Sequence, residues 1–373
     1  MGRVKTIERS GKRGLMRFVG AFLRARRMTP DAFRAQRFDR ILVVRQHNQM
    51  GDMMLATPAL RAIRETYPRA TIGIVTSTLN RGVLANSPFV DRVFTYDKQR
   101  PGSHLAMLGA LRRERFDLAI VLHTVSFSFT TLMLGVLSGA RVRIGSTSAK
   151  IGDALTGSYL NITLPLPTPA QLAGMNEAEH NLFPLRYVGI TTSDLSPLIV
   201  PGEASERYAS DSWRSDALKL AVHPGAGKAE NIWKPENFAT VVDALARKHT
   251  LSLMIIQGPA DAGTVRTFQS ACETHGNVVS GRSITDVAAL LKRADLVLCN
   301  DTGVMHVACA AGARVLAIFG LTDPVRWAPR SPGLRVVRAP GGDLRALEPA
   351  TVVREAEEYL AELAAKVSSA DSK

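Results

Sequence analysis

Cysteine is scarce in this chain. Cys272, Cys299 and Cys309 are the only three in 373 residues, and none stands at a metal-ligand spacing from another. That argues against a disulfide scaffold or a zinc module and fits a reducing cytoplasm. No D-x-D pair occurs, so a metal held by such a pair against a nucleotide diphosphate has no support. The glycine fingerprint of a dinucleotide fold is missing too, because the loop RQHNQMGD after the first strand-like run has a single glycine. PGAGK (224–228) resembles a phosphate loop but fails as one: Val222 holds the first glycine position and Ala229 follows the lysine. Charge-free apolar stretches are also rare. The longest candidate, residues 118–140, lacks Lys, Arg, Asp and Glu but holds His123 and six Ser or Thr. It divides more naturally into a buried strand, DLAIVLH, and a helix from Ser126 to Ser138 than into one membrane span.

Acidic residues are few in one place. Residues 1–40 hold twelve Lys and Arg against three acids, a net of +9, while the other 333 residues carry +5. Within that tail Leu15, Phe18, Val19, Phe22 and Leu23 fall on one helical face flanked by Arg17, Arg24, Arg26 and Arg27. A basic amphipathic helix suits an anionic membrane surface. The same pattern serves a tail helix packed on its own domain. Nothing accompanies the charge that would read nucleic acid, so no nucleic-acid partner is expected. The segment lacks the apolar core and cleavage site of a secretory signal.

After the tail (1–38) the pattern alternates. Strand-like runs at 41–44, 70–77, 91–97, 118–123 and 140–145 are separated by helical stretches, including Met53 to Tyr67 and His104 to Arg115. This is βαβ order and predicts a parallel sheet over residues 39–190. Residues 191–216 are turn-rich and read as a linker. A second alternation fills 217–373, with strands at 218–225, 251–258, 277–280, 295–300 and 314–320 and one long final helix. The expected fold class is α/β with two Rossmann-like halves, and the expected site is the cleft between them.

Two turns hold candidate chemistry. Asp52 sits beside Gly51 where the first strong strand gives way to its helix, the end at which open α/β sheets bind ligands. It can cap that helix or act as a base. In DLVLCNDTGVMHVACAAG a strand ends near Asn300, Asp301 or Thr302 can cap the next helix, and Gly303 lets a ligand approach the backbone. The free N–H groups of that turn and the helix dipole favour an anion, so a pyrophosphate can be held there without metal, with His306 one turn on. A simple capped helix behind a buried strand explains the same residues.

Three segments together, HNQMGDMMLATPALRAI, HPGAGKAENIWKPENF and NDTGVMHVACAAGARVLAIFGLTDPVRW, resemble the bacterial heptosyltransferases, glycosyltransferase family nine. The resemblance spans about residues 40 to 365 and keeps the motif order. It implies GT-B architecture: two facing Rossmann-like domains, acceptor on the first and sugar nucleotide mainly on the second. It also implies transfer of heptose from ADP-heptose to the lipopolysaccharide core, with inversion, at the cytoplasmic face of the inner membrane. Asp52 matches the proposed catalytic base. Gly51, His47 and Asn48 fall on the acceptor side. Asp301, Thr302, Gly303 and His306 match the donor-binding turn, and Pro224, Gly225 and Ala226 match the loop opening the second domain. Phe319, Gly320, Thr322, Asp323 and Pro324 match the closing loop, with Leu321 where the family usually has Pro. Members often have a Lys where this chain has Asn231, so Lys228 or Lys234 is expected to meet the donor phosphates instead. The residues before Gly51 are unlike the Ser- or Thr-rich loop common in heptose-specific members, which leaves the sugar open. No cofactor or metal is implied, since the sugar nucleotide is a substrate. The implied partners are that donor, a lipid-linked glycan acceptor and, through the tail, the inner-membrane surface. Another GT-B enzyme, such as an epimerase or a transferase for a different sugar, and a catalytically silent sugar-nucleotide binder remain as alternatives.

Overall fold

Long, nearly uncharged runs such as ILVV, LAIV and VLAIF need burial on both faces, and a parallel sheet covered by helices supplies it. The computed structural model describes residues 23–46, 49–123, 127–147 and 153–370. It contains two such sheets in two units, one of residues up to 48 and 56–195, the other of 49–55 and 196 onward.

In the first unit the strands are β1 (Arg40–Val44), β2 (Thr71–Ser77), β3 (Arg92–Tyr96), β4 (Leu118–Val121), β5 (Val142–Gly145) and β6 (Ile162–Thr163). They lie in the order β3-β2-β1-β4-β5-β6, all parallel. The helices introduced along the chain are α1 (Pro30–Arg34), α2 (Met50–Met54), α3 (Thr57–Thr66), α4 (Ser103–Arg113), α5 (Phe129–Leu137), α6 (Asp153–Gly157), α7 (Pro169–Leu172) and α8 (Glu177–Arg186). The second unit has α9 (Glu203–Ser212), β7 (Leu218–His223), α10 (Pro235–Ala246), β8 (Leu251–Ile256), α11 (Ala262–Ala271), β9 (Asn277–Val279), α12 (Ile284–Lys292) and β10 (Leu296–Asn300). It continues with α13 (Gly303–Ala310), β11 (Val315–Phe319), α14 (Pro324–Trp327), β12 (Leu334–Arg338) and α15 (Pro349–Ala370). Its sheet runs β12-β11-β10-β7-β8-β9, again all parallel. Renumbered from its own first strand, this is the order of the first sheet. In each unit the order reverses beside the first strand, between β1 and β4 and between β7 and β10, which is where doubly wound sheets open a ligand crevice.

Two expected elements take a different form in the structure. The helix expected from Met53 to Tyr67 is two helices, because Pro58 starts a new one in the first turn of α3. The segment read as a linker contains α9, whose small residues hide its periodicity. Ala209 is buried, and Ser205 donates to Asp286 at 2.7 Å. The part of the tail from residue 23 to 38 packs on the first unit: Phe33 and Phe38 are buried, and Leu23 lies against Leu132, Val136, Tyr159 and Leu160. The remaining tail residues Leu15, Phe18, Val19 and Phe22 lie outside the described residues. The stretch 118–140 forms β4 and α5, and among the described residues no helix is long and apolar enough to cross a membrane.

Candidate functional site

The second unit builds its site on one amide. Asn300 ends β10, an otherwise apolar strand, and is fully buried. Its Oδ1 accepts the Trp233 backbone N–H at 3.0 Å, while its Nδ2 donates to the carbonyls of Pro224 at 3.0 Å and Gly225 at 3.2 Å. Trp233 is itself fully buried, and its indole N–H donates to the Leu347 carbonyl at 3.1 Å. One side chain therefore ties the loop after β7 and the segment before α10 to the end of β10. Each bond would cost about 1–3 kcal/mol if its partner were left buried and unpaired.

Directly after Asn300 comes the turn into α13. Thr302 occupies the N-cap position, but its side chain caps none of the first-turn N–H groups. Those groups are the positive end of an eight-residue helix, without a side-chain acceptor at the cap. A side chain added at Gly303 would meet only the Met50 methyl, at 3.5 Å, so the backbone is open to approach there. Asp301 is half-buried, and burial raises its pKa, while a hydrogen bond from Thr322 and the charge of Lys228 pull it back down. Asn231 bridges this turn to the closing loop. Its Nδ2 donates to Asp301 Oδ2 at 3.2 Å, and its Oδ1 accepts from Thr322 at 3.4 Å. So Lys228 acts electrostatically on Asp301, although it is exposed and also 3.9 Å from Glu230. Lys234 is exposed at the N-cap of α10.

His306 lies one turn into α13 and is buried, with a pKa pushed down to about 4 by desolvation. The imidazole is therefore neutral near pH 7. Its Nδ1 has no hydrogen-bond partner among the described residues. The other side of the ring meets Gly51: a side chain there would fall 2.8 Å from His306 Cδ2 and 3.2 Å from Nε2. Only glycine lets α2 lie this close to α13, and α2 belongs to the second unit although it follows β1 in the chain. Asp52 is the next residue. Gln49 holds the N-cap position, so Asp52 is not the cap but a first-turn acid, where the helix dipole stabilises its charge.

Sequence reasoning missed Asp261. Its carboxylate is mostly buried, accepts the Gly258 N–H at 2.9 Å and lies against both Gly225 and Gly258. A side chain at Gly225 would collide with the Asp261 carboxylate. Beside it, His223 Nδ1 donates to the Ile256 carbonyl at 2.9 Å, and Nε2 is 3.8 Å from Asp261. Burial outweighs that carbonyl and the attraction of Asp261, so the His223 pKa is lowered and the imidazole is neutral. Ala226 continues the loop after Gly225. Gly320 packs against Leu344 and Gly342, and Asp323 caps α14 by accepting the Val325 N–H at 3.0 Å. His47 and Asn48 lie outside the described residues. Among the described residues no group of three His, Cys, Asp or Glu side chains could hold a metal ion. The sequence signal for Asn300 was present, a polar residue closing an apolar strand. Its partners are about 70 residues away and could not be read locally.

Comparison with known proteins adds a second line of observation. The model of glycosyltransferase family 9 (heptosyltransferase) matches residues 105–351. Over 294 residues the chain is 24% identical to the lipopolysaccharide core heptosyltransferase OpsX of Haemophilus influenzae, covering 77% of this chain and 81% of that one. A glycosyl transferase family 9 structure from Veillonella parvula has a TM-score of 0.76 and 23% identity, covering 87% of this chain and 97% of its own. The structure of E. coli ADP-heptose lps heptosyltransferase II has a TM-score of 0.72 and 21% identity, covering 87% and 99%. These likenesses place the two α/β units in the GT-B fold class.

Proposed function

Because the chain belongs to glycosyltransferase family 9, the heptosyltransferase family, we propose that it moves heptose from ADP-heptose to a lipid-linked saccharide of the lipopolysaccharide core or a related surface glycan. The transfer is a single displacement with inversion. The acceptor hydroxyl gives its proton to the Asp52 carboxylate as its oxygen bonds to the anomeric carbon. The bond from that carbon to the diphosphate oxygen breaks, and the nucleoside diphosphate leaves with the electron pair. General-base help of this kind contributes roughly 10²–10⁴-fold. The leaving diphosphate gains negative charge, and the uncapped first turn of α13 with Lys228 offsets it without metal.

The observation that supports this reading best is the seating of Gly51 on His306. It holds the helix bearing Asp52 against the helix whose first turn faces the leaving group, so base and leaving-group site belong to one compact unit. Asp52→Asn keeps size and removes basicity. Turnover should fall at least ~10²-fold with donor affinity nearly unchanged; turnover like the wild type's with a verified acceptor would end the assignment. A different donor sugar is the second reading, favoured by Asn231 bridging Asp301 and Thr322 where members often have a lysine. A calorimetric panel of ADP-heptose and other sugar nucleotides separates the two.

A further inference from the structure

The first unit has a cavity of about 570 Å³ that the transfer chemistry does not use. Five arginines line it, Arg24, Arg26, Arg27, Arg141 and Arg143, and among the described residues no carboxylate does. It lies at the amino-terminal ends of β5 and β6, the opposite end of the first sheet from the loop that leads to Asp52.

The cavity is held open by bonds that pin one chain segment along another. Ala25 N–H donates to the Ser158 carbonyl at 2.9 Å and Met28 N–H to that of Asn161 at 3.0 Å. Asn161 Nδ2 donates back to the Arg26 carbonyl at 2.7 Å. Arg143 is half-buried and spends its donors on the Tyr159 carbonyl at 2.8 Å and the Leu23 carbonyl at 3.0 Å. Arg27 donates to Thr163 at 3.0 Å. Those two arginines build the wall. Arg24, Arg26 and Arg141 are exposed, and their side chains form no ion pair among the described residues. Elsewhere in the same unit Arg34, Arg37, Arg40, Arg61, Arg64 and Arg92 each meet a carboxylate. Gathering like charges without counter-charge destabilises the fold unless an anion is bound.

We propose that this arginine cavity is a binding site for a phosphate-bearing anion, separate from the donor turn. The planar guanidinium fork matches phosphate oxygens in pairs, and the volume is that of a small-molecule site. A neutral sugar would leave the repulsion unrelieved. Among the described residues the lining has no aromatic ring on which a nucleic-acid base could stack. Two sources share the chemistry: a free phosphate ion and the headgroup of an anionic phospholipid.

The test uses the full-length protein. Arg24→Gln, Arg26→Gln and Arg141→Gln are combined in one variant. A control combines Arg69→Gln, Arg113→Gln and Arg186→Gln, exposed positions outside the cavity. Binding is measured by calorimetry with inorganic phosphate and by sedimentation with phosphatidylcholine vesicles with and without phosphatidylglycerol. The cavity variant should bind at least one probe about tenfold more weakly than the wild type, with the control nearly unchanged, since each phosphate contact is charge-assisted. The donor turn is intact in all three proteins, so the difference reads the cavity. Loss toward phosphate alone identifies a free ion, and loss toward anionic vesicles identifies a headgroup. Arg141→Gln alone, which leaves the tail segment untouched, should show a smaller loss of the same kind. Failure of the wild type to bind either probe, or an equal loss in the control, overturns the proposal.

Discussion

Replacing His306 with phenylalanine makes a quantitative test of its burial in α13. Burial lowers the imidazole pKa from 6.5 to about 4 in the folded protein. Between those values the unfolded chain binds a proton that the folded chain does not. Folding stability therefore rises with pH across that window and is lost as pH falls through it. At about 1.4 kcal/mol per pH unit, the full contribution is about 3 kcal/mol above pH 6.5. At pH 5 roughly 2 kcal/mol of it should already be gone. His306→Phe keeps an aromatic ring against Gly51 and removes the titration, so the variant should escape this part of the acid loss. The assay is urea unfolding at pH 8 and pH 5 followed by tryptophan fluorescence. All three tryptophans, Trp213, Trp233 and Trp327, belong to the second unit, so the signal reports the unit that holds His306. His223 titrates alike in both proteins and cancels in the comparison. The expected result is an acid-induced loss about 2 kcal/mol larger in the wild type. An identical pH dependence in the two proteins refutes the claim that His306 is held neutral.

Three further outcomes are expected. Gly303→Ala should leave the melting temperature of the empty protein unchanged, since the new methyl meets only Met50 at 3.5 Å, while Gly303→Val should weaken donor binding in calorimetry; unchanged affinity in the valine variant would move the diphosphate elsewhere. Asn300→Leu strands a buried N–H and two carbonyls, so urea unfolding should show a loss of about 2–4 kcal/mol together with weaker donor binding, and a loss below 1 kcal/mol would mean that water replaces the amide. Transfer should persist in excess EDTA, and abolition with rescue by Mg²⁺ or Mn²⁺ would show that the α13 turn and Lys228 do not suffice for the leaving group.

Strands buried on both faces were the most legible part of the sequence, because β1, β4, β10 and β11 each carry an apolar run of at least four residues. The edge strand β12, LRVVR, went unread because its half-buried faces keep two arginines. The turn into α13 could be located from Asp301, Thr302 and Gly303, since a strand end followed by glycine at a helix start is a local pattern. What holds the turn in place was not local. Asn300, Asp261 and Asn231 act on partners separated from them in sequence, apart from the nearby Gly258, and only the folded chain brings them together. Asp52 was singled out by its position after β1, but its membership in the second unit is a packing fact with no sequence signature.

The borrowed helix α2 limits how this enzyme can be recombined with its relatives. A cut between residues 195 and 196 looks like the natural seam for exchanging halves. Yet the first half delivers α2, and α2 must dock on whatever α13 the second half supplies. A chimera therefore inherits its Asp52 from one parent and the imidazole beneath Gly51 from the other. Where the incoming helix has any side chain at the Gly51 position, it collides with the ring, as the 2.8 Å approach requires. The two halves are therefore not independently exchangeable: shuffling them succeeds only between parents that share this glycine–histidine contact, or when residues 49–55 are transplanted with the second half.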